Sequence, residues 1–189
     1  MSWLALLALT TATLAPAAPA SRLGIIEPAP DFALTTETGA TLRMSDLKGK
    51  VCVVSFIFTT CSGSCPATTH RMGQLQTLLN QGGLGRDNAV RLLSISLDPA
   101  RDTPEVLRRY MELYDADPAT WTFLTGNRER VSKVIAAWGM WVKPAANGQL
   151  DHPSRVFLVD RKGRIREIYD LSFFRPGWVV EDIRLLLKE

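Results

Sequence analysis

The sequence predicts an α/β fold in which a mixed sheet is flanked by helices, and three observations carry that expectation. Continuous apolar runs of strand length recur at VCVVSFIFTT (51–60), RLLSISL (91–97) and RVFLVD (155–160), the pattern of central strands covered on both faces. Amphipathic stretches with helical period separate them. Near the end, Lys162-Gly163 turns RVFLVD into RIREIYDL as an antiparallel hairpin before a last helical segment, so parallel and antiparallel pairings share one sheet.

Taken in order, the chain opens on MSWLALLALTTATLAPAAPA, a stretch with no charged side chain. Trp3 to Leu14 matches the apolar region of a signal peptide and is too short to cross roughly 30 Å of hydrocarbon. Ala18-Pro19-Ala20 supplies small residues before a cut. Residues 1–20 are therefore expected to be a signal peptide or N-terminal anchor, and residues 21–189 one domain. The protein is expected in the periplasm, soluble or tethered to the outer face of the inner membrane, where paired thiols tend to oxidise.

After EPAPDF, the segment FALTTETGATLRMSDLKGK alternates apolar and polar residues around Thr38-Gly39 and predicts a short hairpin at a sheet edge. The helix that follows the first central run has Met72, Leu75, Leu78 and Leu79 on one face and stops at Gly82-Gly83. DTPEVLRRYMELYDADP predicts a second helix with Asp102 or Thr103 as N-cap, Pro104 in the first turn and an apolar face of Val106, Leu107, Tyr110 and Leu113. RERVSKVIAAWGMWV gives a third, whose Trp138, Met140 and Trp141 have the spacing of core residues. PGWVVEDIRLLLKE closes the chain as an amphipathic helix. This order matches a thioredoxin-like fold with an N-terminal β-hairpin extension and an insertion.

Composition sets limits on function. Of 189 residues, 46% are hydrophobic and 22% charged, with a net charge of +3, which suits one globular domain and excludes a nucleic-acid binder, since no basic run is interleaved with aromatics. Arg161, Lys162, Arg164 and Arg166 surround a turn and are expected on the solvated face of its hairpin.

Two of the three cysteines, Cys61 and Cys65, stand where a central strand ends and a helix begins. In open α/β sheets that is where ligands bind. A thiol there is expected to ionise more easily, because a helix N-terminus favours the thiolate, the form that attacks disulfides and binds metals. Residues four apart on a helix have Cβ atoms roughly 5 to 6 Å apart, against about 3.8 Å in a relaxed disulfide. One metal ion bridges the wider gap through bonds near 2.3 Å, the zinc value. C-x-x-x-C thus suits chelation well and disulfide formation tolerably. A third ligand must come from His70 or His152, the only histidines. His70, five residues past Cys65 on the same helix, turns away and is expected on the surface. His152 precedes the third central run, in a loop that a thioredoxin-like sheet sets beside the strand-to-helix site, as a ligand or as an ordinary loop histidine. Cys52 lies within the first run and is expected in the core.

CSGSCP behind a strand, SLDPARDTPEVLRRY after the second run and DHPSRVFLVDRKGRI near the end resemble, in that order and across residues 26 to 189, the Sco/SenC family of copper chaperones. The resemblance implies a thioredoxin-like fold in which Cys61, Cys65 and His152 bind one copper ion. It further implies delivery of copper to the copper-centre-bearing subunit of cytochrome c oxidase, or reduction of that centre's thiols, and a second copper donor protein as a further partner. An acidic residue matching Asp98 lies near the metal in the family, which makes Asp98 a second-tier candidate for docking or tuning. Ser62-Gly63-Ser64 is smaller and more polar than the family's usual insert. The donor chemistry agrees, since thiolates select Cu(I) while imidazole serves Cu(I) and Cu(II) alike. Zinc ranks below copper, because no Glu or second His completes a hydrolytic site. The alternative from another class is a periplasmic thiol-disulfide reductase with Cys61 as nucleophile and Cys65 as resolving thiol. A thiol peroxidase is disfavoured by the absence of an upstream proline before Thr60-Cys61.

Overall fold

In the computed structural model, residues 23–85 and 89–189 are described, so the expected leader at 1–20 lies outside the described residues. The strands are β1 (Glu27–Pro28), β2 (Ala33–Thr36), β3 (Thr41–Arg43), β4 (Val51–Ile57), β5 (Val90–Ser96), β6 (Trp121–Thr125), β7 (Lys143–Pro144), β8 (Leu150–Asp151), β9 (Arg155–Val159) and β10 (Arg164–Asp170). The helices are α1 (Cys65–Gln81), α2 (Pro104–Leu113), α3 (Arg128–Ala137) and α4 (Pro176–Leu187).

Among the described residues, eight strands form one sheet in the order β1-β10-β9-β4-β5-β6-β2-β3, while β7 and β8 pair as a separate two-stranded ribbon. β4, β5 and β6 run parallel, and β9 returns antiparallel on the other side of β4. All seven residues of β4 are buried, as a continuous apolar run requires of a central strand. The β2–β3 hairpin lies at the sheet edge, as its alternation predicts.

Side chains alternate across the sheet, which fixes the layers. Ser55 bonds Ser94 at 2.9 Å, and Ser94 accepts from the Trp121 indole at 3.0 Å. Phe123 on the same face meets Tyr110 of α2, whose hydroxyl lies 3.0 Å from Thr69 of α1. Helices α1 and α4 pack side by side. On the opposite face Phe56 and Phe157 hold Trp138, just past the end of α3, in edge-to-face contacts at 6.0 and 5.1 Å. The mixed sheet between helical layers is the thioredoxin-like arrangement that the element order predicts.

Several expectations are corrected in detail. β6 has no clear sequence signal, because five residues are too few for periodicity to separate a strand from a loop. On α2 the buried side chains are Leu107, Tyr110 and Met111, and Leu113 is exposed. Helix α3 ends before Gly139, whose positive φ turns the chain, so Trp138 and Met140 enter the core from a turn and Trp141 faces outward against Lys143. Arg166 is not on a solvated face. It is 5% exposed and pairs with Asp160 at 2.9 Å and Glu189 at 2.6 Å, because the bulge between Ile165 and Glu167 shifts the register there.

Candidate metal centre

The site is assembled by two loops at the end of the sheet where β4 terminates. Beyond Ile57 the chain passes Phe58, Thr59 and Thr60 to Cys61, and α1 starts at Cys65 with Pro66 next to it, a position where a missing N–H costs nothing. The second loop leaves β8 and reaches β9, carrying His152 between them. Cys61 is half-buried, Cys65 is 1% exposed and His152 is half-buried.

These three residues converge. Their donor atoms, two Sγ and a ring nitrogen, all lie within 4.8 Å of one another. Cys65 Sγ is 3.5 Å from His152 Nε2. An ion bonded to sulfur at about 2.3 Å and to nitrogen at about 2.0 Å holds such donors roughly 4 Å apart, so closing on a metal needs movements of well under an ångström per atom. The His152 ring is oriented from behind. Its Nδ1 donates to the Pro153 carbonyl at 3.0 Å, which in the neutral ring leaves the lone pair on Nε2, facing the sulfurs. Phe58 meets the ring edge-on at 5.8 Å. The Gly63 amide donates to Cys61 Sγ at 3.3 Å.

Helix position does not make Cys65 easier to ionise. Burial pushes its thiol well above the ordinary range, and a hydrogen bond with Cys61 adds to the effect. Desolvation of a thiolate at a core position outweighs the favourable helix end. The metal-free site therefore keeps a proton on Cys65, and a metal that binds there displaces it. Burial likewise raises Cys52 to about 12, as expected of an inert core thiol.

His70 is exposed on α1 and takes no part in the group. Asp98 lies at the end of β5, pairs with Arg101 at 2.8 Å and is not in the converging set. Asp102 carries a role that the sequence did not disclose. The N-cap of α2 is Thr103, which accepts from the Val106 amide. Asp102, fully buried, accepts from Thr59 Oγ1 at 2.6 Å and Ser96 Oγ at 2.5 Å, and it anchors the loop two residues before Cys61. Burial pushes its carboxyl above the usual carboxylate range against those hydrogen bonds. The signal available was Asp and Thr in succession before a helix, where only one can cap.

The family model described as SCO1/SenC matches residues 26–188. The SCO1 protein homolog of Bacillus subtilis is 30% identical over 142 residues, 74% of this chain and 72% of that one. The structure of Bradyrhizobium japonicum ScoI with copper bound superposes with a TM-score of 0.72 at 27% identity, covering 85% of this chain and 99% of that one. BsSco, described as having a disulfide switch and as a member of the Sco family of cytochrome c oxidase assembly proteins, gives 0.74 at 25% identity over 86% of this chain and 95% of that one. With a family model spanning nearly all of the described residues and a two-cysteine, one-histidine group at the rim of its sheet, the chain belongs to the SCO1/SenC family.

Proposed function

We propose that this protein is a copper metallochaperone that binds one copper ion through Cys61, Cys65 and His152 and helps assemble the binuclear copper centre of cytochrome c oxidase. The observation that carries it is the approach of three donor atoms from separate parts of the chain to within 4.8 Å. Two soft sulfurs hold Cu(I), and the added imidazole keeps the set serviceable for Cu(II). Three protein ligands leave one edge open. Cys61 is the more exposed sulfur, so an acceptor thiolate approaches from that side and displaces it before Cys65 and His152 let go. Asp98, on the rim beside Arg101, serves the docking of that acceptor. The acceptor is the copper-centre-bearing subunit of the oxidase, and a second copper protein loads the site.

The domain begins at residue 21 and works outside the cytoplasm, in the periplasm, with residues 1–20 as its leader or tether. A second function on the same residues is supported by the closeness of the Cys61 and Cys65 sulfurs, within 4.8 Å of each other, and by the disulfide switch described for BsSco. Cys61 thiolate attacks an acceptor disulfide, Cys65 resolves the mixed disulfide, and the acceptor gains two electrons and two protons as Cys61 and Cys65 become joined.

The test is titration of the reduced protein with Cu(I) and Cu(II) while following thiolate-to-copper absorption. A one-to-one complex that disappears in Cys61→Ser and in Cys65→Ser supports the chaperone. Disulfide reduction without copper uptake supports the reductase alone.

A further inference from the structure

His152 is bracketed in the chain by two residues that reach back to the cysteine loop. Three residues before it, Gln149 Oε1 accepts from the Ser62 amide at 3.0 Å, and Gln149 Nε2 donates to the Thr60 carbonyl at 3.0 Å. Those are the backbone groups on either side of Cys61. Two residues after it, Ser154 Oγ donates to Ser64 Oγ at 2.7 Å, next to Cys65. The β7–β8 ribbon is tied down once more by Arg101, which donates to the Gly148 carbonyl at 3.2 Å while paired with Asp98. None of these side chains is one of the three donors. Gln149 and Ser154 connect segments 87 to 90 residues apart in sequence.

Stability does not explain this arrangement. The Ser62 amide and the Thr60 carbonyl lie in an exposed part of the loop, where water would satisfy them nearly as well, so the net gain from each bond is small. What two bonds from one planar amide do achieve is to fix distance and angle. They hold the loop that carries His152 at a set separation from the loop that carries Cys61, and Ser154 fixes the same separation on the Cys65 side. A donor already in place gives up no conformational freedom when a metal arrives, whereas a mobile one must be ordered at that moment and weakens binding by that amount.

We propose that Gln149 and Ser154 are positioning residues that preorganise His152 against the Cys61/Cys65 pair. They thereby set the rate at which copper is released to an acceptor. This rests on the copper function proposed above. Partners behind the ligands of a metal site alter affinity by about 10- to 100-fold, which gives the scale of the effect.

The experiment compares the wild-type protein with Gln149→Leu, Ser154→Ala and the double variant, each with and without His152→Ala. Cu(I) release into a chelator is the first readout. Gln149→Leu and the double variant should release copper about 10- to 100-fold faster, with Ser154→Ala showing a smaller change and all thermal midpoints close to wild type. In the His152→Ala background the same substitutions should change release by less than about twofold, because the positioned group is gone. Unchanged release in the double variant overturns the proposal, as does an equal acceleration without His152, which would assign Gln149 to the cysteine loop alone. A second readout needs no metal: nuclear Overhauser contacts between the His152 and Phe58 rings should weaken in the double variant. Their persistence at wild-type strength overturns the positioning role whatever copper does. A wild-type protein that takes up no copper overturns the copper function instead.

Discussion

The two ends of the central sheet solve the same problem, burial of polar groups, in opposite ways. At the end away from the cysteines, Arg166 and Asp160 are almost wholly buried, and the cluster is closed on itself by Arg164, Glu189 and the Leu23 carbonyl. Arg164, Arg166, Asp160 and Glu189 neutralise one another there. At the other end, Cys61, Cys65 and His152 are held close by neighbours that leave their donor atoms converging on one point. Charges that neutralise one another make structure; at the cysteine end the donors are joined only by weak thiol hydrogen bonds, Cys65 to Cys61 and to His152, which a metal ion can replace.

The contrast is broken most severely by removing a sulfur. Cys61→Ser or Cys65→Ser should lose copper binding by far more than the about 100-fold typical of supporting residues, with little change in the urea midpoint, as measured by chelator competition. His152→Ala comes next. It should abolish tight Cu(II) binding and shift the absorption of the loaded protein, yet leave reduction of a model disulfide mostly intact.

The opposite end should respond in the opposite sense. Arg166→Met removes the buried guanidinium that bonds Asp160 and Glu189, leaving Arg164 as the one guanidinium on Asp160, and should cost up to about 3 kcal/mol of stability by chemical denaturation, with copper affinity unchanged. Acid provides a milder probe of the same cluster. Burial alone would raise the Asp160 carboxyl, but hydrogen bonds from Arg164, Arg166 and the Lys162 amide hold it below the usual range. Its stabilising contribution is thus complete above the unfolded value of about 3.9 and is lost as pH falls through that value to the folded one. Asp160→Asn should flatten this part of the acid-unfolding profile. The smallest effect is expected at Arg109, whose exposed pairing with Glu105 on α2 should be worth less than about 1 kcal/mol in a thermal scan of Arg109→Ala.

Legibility in the sequence followed the range of the interactions involved. The three central strands were visible because burial on both faces writes an unbroken apolar run, and Cys61 and Cys65 stood out because a dithiol at a strand-to-helix junction has few other uses. His152 was accessible through scarcity, since only two histidines exist and one points away. Asp102 and Gln149 were not visible. Their partners Thr59, Thr60 and Ser62 lie 43 to 89 residues away, and an Asp before a helix or a Gln in a ribbon has many commoner roles. Arg166 and Cys65 misled for a shared reason: each was assigned the solvation of its local pattern, solvent for a hairpin Arg and a helix end for a Cys, while tertiary burial determined both.

In the function proposed above, two sulfurs from the β4–α1 junction and one imidazole from the β8–β9 loop bind the same ion. X-ray absorption at the copper edge of the loaded protein, compared with loaded His152→Ala, tests it most directly. The loaded wild type should show two sulfur scatterers and one imidazole nitrogen, with loss of that nitrogen alone in the variant. A first shell without sulfur, or one that His152→Ala leaves unaltered, would contradict it.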